Sequence, residues 1–116
     1  MAITLATNYV SGAGFINSGY SADWSGCETL VAAVASKSIY IEKINIISVG
    51  TATFTFGAGE TDGAVTTTVL GPIYSPGYIV IPLEFTRPLF ITAATAFTVD
   101  ATAAEGATII VQGYIR

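Results

Sequence analysis

The stretch from Glu28 to Phe56 constrains this chain most, because it reads as three consecutive β-strands separated by turns. Thr51, Thr53 and Thr55 alternate strictly with Ala52, Phe54 and Phe56, and a period of two puts the threonines on one face of a strand and the apolar side chains on the other. Upstream, Leu30, Ala32 and Val34 alternate with their neighbours. Ser36, Lys37 and Ser38 then interrupt, and IYIEKINII resumes the pattern. Within that run the phase changes: Ile39 and Ile41 are odd, Ile44 and Ile46 even, with Glu42 and Lys43 at the switch. Either one extra residue forms a β-bulge there, or the second half of the strand is buried on both faces. Gly50 is expected to end this strand.

The remainder continues in the same style. GAGETDG (residues 57 to 63) reads as a loop with Asp62-Gly63 as its turn, followed by a strand over AVTTTVL and a Pro/Gly loop, GPIYSPG. Tyr78 to Phe85 alternates again, and Pro82 belongs on a sheet edge or at a bulge because proline cannot donate to a ladder. After a turn at Thr86-Arg87-Pro88, short strands follow over 89–92, 97–101 and 108–115. The total is about eight strands at spacings of about 8 to 12 residues, which predicts an all-β fold, an antiparallel β-sandwich or jelly roll over residues 28–116.

Residues 1–27 differ. They are rich in Gly, Ser, Ala and Asn, with Tyr9, Phe15, Tyr20 and Trp24 placed singly. Two readings follow: an extended N-terminal arm whose rings fill pockets on a neighbour, or a segment folded back to complete its own core. Ser25 and Glu28 also have the spacing of a helix capping box, which would make residues 26 to 35 a short helix.

At 116 residues the chain makes one domain. Only 10% of it is charged and 52% is apolar, against about 25% charged in ordinary soluble domains. So few charges cannot cover the exterior, and association with other subunits is the first functional expectation. The net charge of −4 argues against nucleic acid as a partner, since phosphate binding depends on clustered Lys and Arg. MAITLATNYV lacks the basic and apolar regions of a signal peptide, and no apolar run reaches the length of a membrane span.

Catalytic chemistry has little to work with. With no histidine and one cysteine, the chain offers no Ser-His-Asp or Cys-His pair and no zinc set. Cys27 reads as a small apolar residue at the sheet edge. Glu60 and Asp62 stand two apart in a glycine loop, too few oxygens for calcium, and the glycines form no phosphate-binding loop. Carboxylates such as Glu28, Glu84 and Asp100 could converge in space as in glycosidases, yet scattered acids are also what a solvated exterior requires. No enzyme, cofactor or metal is expected. Trp24, Tyr20, Tyr74 and Tyr78 are candidate platforms for sugar rings.

Taken together, LVAAVASKSIYIEKINIIS, TATFTFGAGETDG, GPIYSPGYIVIPLEFTRPLFITAATAFTVDATAA and the closing IIVQGYIR resemble small β-sandwich virion proteins of tailed bacteriophages. The resemblance covers residues 28–116 and rests on pattern. It implies a capsid decoration, or cement, protein on the outer surface of the virion, bound as a homotrimer to the major capsid protein, with no nucleic acid, membrane or cofactor involved. Tail, neck and receptor-binding modules share the look. On this resemblance Tyr9, Phe15, Tyr20 and Trp24 are the candidate interface, and removing residues 1–20 would leave a folded sandwich unable to bind shells.

Overall fold

The computed structural model of the protein describes residues 6–9, 14–21, 23–102 and 106–116. Among them there is no helix, and the strands form one antiparallel sheet nearly closed into a barrel. The strands are β1 (Ala6–Tyr9), β2 (Gly14–Ser21), β3 (Glu28–Val31), β4 (Ile39–Thr61), β5 (Ala64–Ile91), β6 (Phe97–Ala101) and β7 (Ala107–Ile115). Their order is β1-β2-β7-β4-β6-β3, with β5 pairing β4.

Two long strands replace five of the expected short ones. β4 runs through Gly50 and the GAG glycines, and β5 runs through GPIYSPG and Thr86-Arg87-Pro88. The break around Gly50 is overridden because the partner strand is present opposite it, Gly50 facing Gly77, Thr51 facing Pro76 and Phe54 facing Ile73, whereas Gly71-Pro72 and Thr86-Arg87-Pro88 fall where the register shifts and have no partner on β4. β5 follows the whole of β4, whereas β7 lies along Ile39–Ser48 and β6 along Phe54–Ala58. Where β4 passes from one neighbour to the other, Gly50 and Gly77 leave no side chain on either strand, so the hairpin can bend and carry the sheet around the core. Asp62 and Gly63 close the hairpin with φ of 52° and 77°. Positive φ at both positions is what a two-residue hairpin turn requires, and glycine supplies it without steric penalty.

The phase change at Glu42 is a bulge. Ile41 pairs Gly113 and Lys43 pairs Gln112, leaving Glu42 as the extra residue. Burial shifts with it, from Ile39 and Ile41 to Ile44, Ile46 and Ser48. On the other edge the same point absorbs a longer irregularity, Ile41 facing Leu89 and Lys43 facing Glu84. Gly113 sits against the bulge, and a Cβ there would run into the carbonyl of Tyr40.

The core takes Phe54, Phe56, Phe97, Val99, Ile109 and Val111 from the sheet's inner face. Phe15 and Trp24 belong to it as well, 1% and 0% exposed. Trp24 donates from Nε1 to the Ala107 carbonyl at 2.9 Å, and its own carbonyl accepts from Ala101 N at 2.8 Å, so it ties the segment before β3 to both β6 and β7. β2 pairs β7 along its whole length, Gly14 to Tyr114 through Ser21 to Ala107. Residues 14–21 and Trp24 therefore take the folded-back reading and not that of an arm. Asn17 completes the curl by donating from Nδ2 to the Leu30 carbonyl at 2.9 Å, from β2 to β3.

The capping-box helix does not form. Ser25 instead donates from its backbone N–H and its hydroxyl to Asp23 Oδ1, at 2.9 and 2.5 Å, which makes a local turn. β3 stops at Val31, and a register shift between Thr29 and Val31 lets Leu30 and Val31 both face inward. Ala32 and Val34, assigned to one strand face by their spacing, lie on the exposed loop that follows.

These contacts make two expectations. Gly113→Ala should lower unfolding free energy by about 3 kcal/mol or more, since backbone must move to admit the methyl group, as read by denaturant titration. Deleting residues 1–20 should abolish cooperative unfolding, because it strips β7 of a partner and removes Phe15, in contrast to the arm reading.

Candidate interaction surface

The curl gives the sheet an outer face, and the cross-strand register says what stands on it. Tyr20, Thr108, Ile47 and Val80 form one row across β2, β7, β4 and β5. Ser18, Ile110, Asn45 and Pro82 form the next, and Ile16, Gln112, Lys43 and Glu84 the one after. Beyond Val80, Tyr78 pairs Val49. At the far end Tyr114, Tyr40 and Phe90 stand side by side; Tyr40 stacks on Tyr114 at 4.8 Å and meets Phe90 edge-on at 5.4 Å. Arg116 lies 5.3 Å over the Tyr114 ring, a cation–π contact that caps the aromatic row.

This face is open and poorly charged. Tyr78 is 89% exposed, Val80 58%, Tyr20 55% and Phe90 53%, with Ile47 and Val49 also exposed. Charge enters the three middle rows only at Lys43 and Glu84, which are register partners. Gly106 adds continuity, because its missing side chain leaves room for Tyr20 Oη and Val49 Cγ2, both close to where a Cβ would be. An exposed apolar sheet face is a candidate site of association.

Of the four aromatic residues expected to make contacts, the structure leaves Tyr20 on the surface and places Phe15 and Trp24 in the core. Tyr9 lies in β1, its backbone paired with Phe15, and its side chain is outside the described residues. The spacing of single aromatics in a glycine-rich segment did not distinguish these fates. Ile47, Val49, Val80 and Phe90 were missed, since a strand with apolar residues on both faces reads as a doubly buried one. Tyr74 and Tyr78 are exposed on β5, whereas Trp24 cannot serve as a sugar platform.

The acids gather elsewhere. Cys27 N donates to the Gly63 carbonyl at 3.1 Å, Gly63 N to Glu60 Oε2 at 3.0 Å, and Val65 N to Asp100 Oδ2 at 2.9 Å. The hairpin tip is thereby seated against the segment before β3. Burial, with Asp100, Glu60 and Glu28 nearby, pushes the Cys27 thiol up, although the Thr98 hydroxyl opposes this. A protonated thiol is a poor nucleophile. Glu84 stands apart on the outer face, so the three carboxylates do not converge, and among the described residues no group of three could hold a metal ion.

A cleft of about 420 Å³ lies near the two ends of β5, lined in part by Gly59, Thr66, Thr67, Phe90, Thr92 and Thr95. It carries no charged side chain. Thr66 Oγ1 already bonds Thr61 Oγ1 at 2.7 Å, and Thr95 Oγ1 donates to the Ala93 carbonyl at 3.3 Å. The cleft lining offers hydroxyls and one ring, which suit a neutral ligand surface. No protein-family model matches the chain, and no curated protein matches it.

Glu28 supplies a pH test. Its Oε2 is buried without a hydrogen-bond partner, and burial, reinforced by Asp23, raises its carboxyl above the ordinary glutamate range. The folded state then holds this proton more tightly than the unfolded chain, so stability falls as pH rises from the ordinary value through the raised one. Glu28→Gln should be more stable than the parent at about pH 7 and lose that advantage near about pH 3. A difference independent of pH in thermal melts would contradict the assignment.

Proposed function

We propose that this protein is a structural virion component that decorates a phage capsid, binding as a trimer across major capsid protein subunits on the outer surface of the shell. The observation that carries the reading is the outer face built on Tyr20, Ile47, Val49, Tyr78 and Val80, exposed and nearly free of charge. Such a face binds protein and performs no reaction. In this reading the curled sheet serves as the jelly-roll sandwich of such modules, with the two halves of the β4–β5 ladder contributing to its two layers. The resemblance of residues 28–116 to small phage virion proteins supplies the setting.

Decoration suits the physical profile. A cement protein needs a rigid body and faces that match neighbours, and a specific interface buries on the order of 1,200 to 2,000 Å² in total. Three such patches on one trimer reinforce each other through effective concentration, so each can be modest. The alternative, a receptor or carbohydrate-binding module of the tail or neck, draws on exposed Tyr74 and Tyr78 and on the threonine-lined cleft beside Phe90.

Electron microscopy of the particle separates the two: density repeated over the whole shell supports decoration, and density confined to one vertex supports the tail or neck. In solution the chain should sediment as a trimer at micromolar concentration. Tyr20→Lys combined with Ile47→Lys should weaken shell binding on the order of 100-fold, because each lysine must be desolvated in the contact, while the thermal midpoint stays close to that of the parent. Unchanged shell occupancy by the double variant would reject this face as the contact.

A further inference from the structure

We propose that the free edge of β5 between Tyr74 and Glu84 is a twofold pairing site for a second copy of this chain, centred on Ile79. β5 pairs β4 and no other strand among the described residues, and apart from the Pro76 carbonyl, which accepts from Thr51 Oγ1 at 3.1 Å, the backbone groups of its second edge along this stretch meet no other strand among them. Such an edge is a template for another strand.

Which residues point outward follows from the ladder on the other side of β4. Val49 N donates to the Gly106 carbonyl, and Thr102 N donates to the Thr53 carbonyl. Odd residues of this part of β4 thus turn their backbone groups away from β5. Their register partners are even: Val49 faces Tyr78, Ile47 faces Val80 and Asn45 faces Pro82, without a shift from Ile73 to Glu84. In an antiparallel pair these even residues turn their own groups to the open edge. Pro76 and Pro82 are among them and remove two donors. Tyr74, Tyr78, Val80 and Glu84 keep theirs.

The pattern is symmetric about Ile79. Pro76 and Pro82 lie three residues to either side of it, Tyr78 and Val80 one, Tyr74 and Glu84 five. When two copies pair antiparallel about this point, Tyr78 meets Val80 of the second copy, Tyr74 meets Glu84, and each Pro76 meets a Pro82 that has no donor to waste. Every outward N–H in the stretch then finds a carbonyl. Sliding the register by one residue sets each outward donor opposite a residue whose carbonyl faces β4, and sliding it by two in either direction pushes the partner of Glu84 or of Tyr74 beyond the regular segment. Prolines placed only to forbid pairing would be expected inside the exposed Tyr78–Ile79–Val80 run, where none stands. Their positions instead limit pairing to a short, single register.

So short a ladder gains little over water-bonded edges and is weak between free molecules. On a shell crowded with trimers the local concentration is high, and twofold contacts between threefold units would join them into a net; this location rests on the decoration reading, whereas the pairing itself does not.

Cross-linking tests the edge alone. Ile79 would face Ile79 of the second copy in a non-hydrogen-bonded pair, with Cα atoms about 4.5 Å apart, within the span a disulfide bridges. In a Cys27→Ser background, Ile79→Cys should therefore give oxidised dimer at least about ten-fold more readily than Tyr78→Cys or Val80→Cys, whose symmetry mates lie off register. Adding Val80→Pro, which removes an outward donor and spares the β4 ladder, should suppress that dimer. Equal cross-linking by all three cysteine variants, or none, overturns the proposal. Should the variants fail to fold, hydrogen exchange of the unmodified protein decides: the Tyr78 and Val80 amides should slow several-fold with rising protein concentration, and concentration-independent exchange rejects the pairing. Cross-linking without shell binding would sink the decoration reading and leave the edge; shell binding without cross-linking would do the reverse.

Discussion

The continuous antiparallel ladder between β4 and β5 is the constraint on which the other strands depend. It pairs Ile39 with Ile91 at one end and Thr61 with Ala64 at the other, so a single hairpin spans the molecule. The other strands are placed against it in turn: β7 on its first half, β6 on its second, β2 and β3 on those, and β1 on β2. A ladder this long cannot stay flat, because strands twist. The Gly50–Gly77 pair and the Glu42 bulge are where bending and re-aiming are taken up, and the residues around them are chosen for room: Gly113 against the bulge, Gly106 beneath Tyr20 and Val49.

That dependence explains why local punctuation misleads in this chain. Glycine and proline mark turns when a segment must satisfy its own hydrogen bonds, but a strand held by a partner along its length tolerates both. All four prolines, Pro72, Pro76, Pro82 and Pro88, lie on β5. β5 is an edge strand, so Pro76 and Pro82 break no ladder by lacking an N–H, while Pro72 and Pro88 fall at the register irregularities. Pro82 alone allowed an edge or a bulge, and its regular pairing with Asn45 decides for the edge; the same argument extends to Pro76, which the GPIYSPG composition made look like part of a loop.

Where the sequence had a strong period, the structure follows it. TATFTF places its threonines outward and Ala52, Phe54 and Phe56 inward; the Ile41-to-Ile44 phase change is a bulge; Asp62-Gly63 is the hairpin turn; and the last strand buries Ile109 and Val111. β2 was illegible for a physical reason. Its inward positions are Phe15, Asn17, Gly19 and Ser21, of which one alone is a large apolar residue. Trp24 supplies the bulk that the strand lacks, and Asn17 is buried because its amide closes the sheet onto Leu30. An alternation of small and polar residues carries no hydropathy signal, although sterically it is as good a strand as any.

The candidate interaction surface was hidden by a related degeneracy. In a half-exposed antiparallel sheet, polar residues normally name the solvent face. Here Ile47 and Val49 stand outward while Ile44 and Ile46 stand inward on the same strand, so hydropathy cannot tell core from contact. Only register does, by showing that Ile47 shares its row with exposed Tyr20 and Val80, whereas Ile46 shares its row with buried Ile109. The scarcity of charge that first pointed to association is thus the same property that kept the residues of this face from being recognised one by one. It also leaves Lys43 and Glu84, facing each other across β4 and β5, as the charges that break this face into an apolar field around Val80 and an aromatic row around Tyr40.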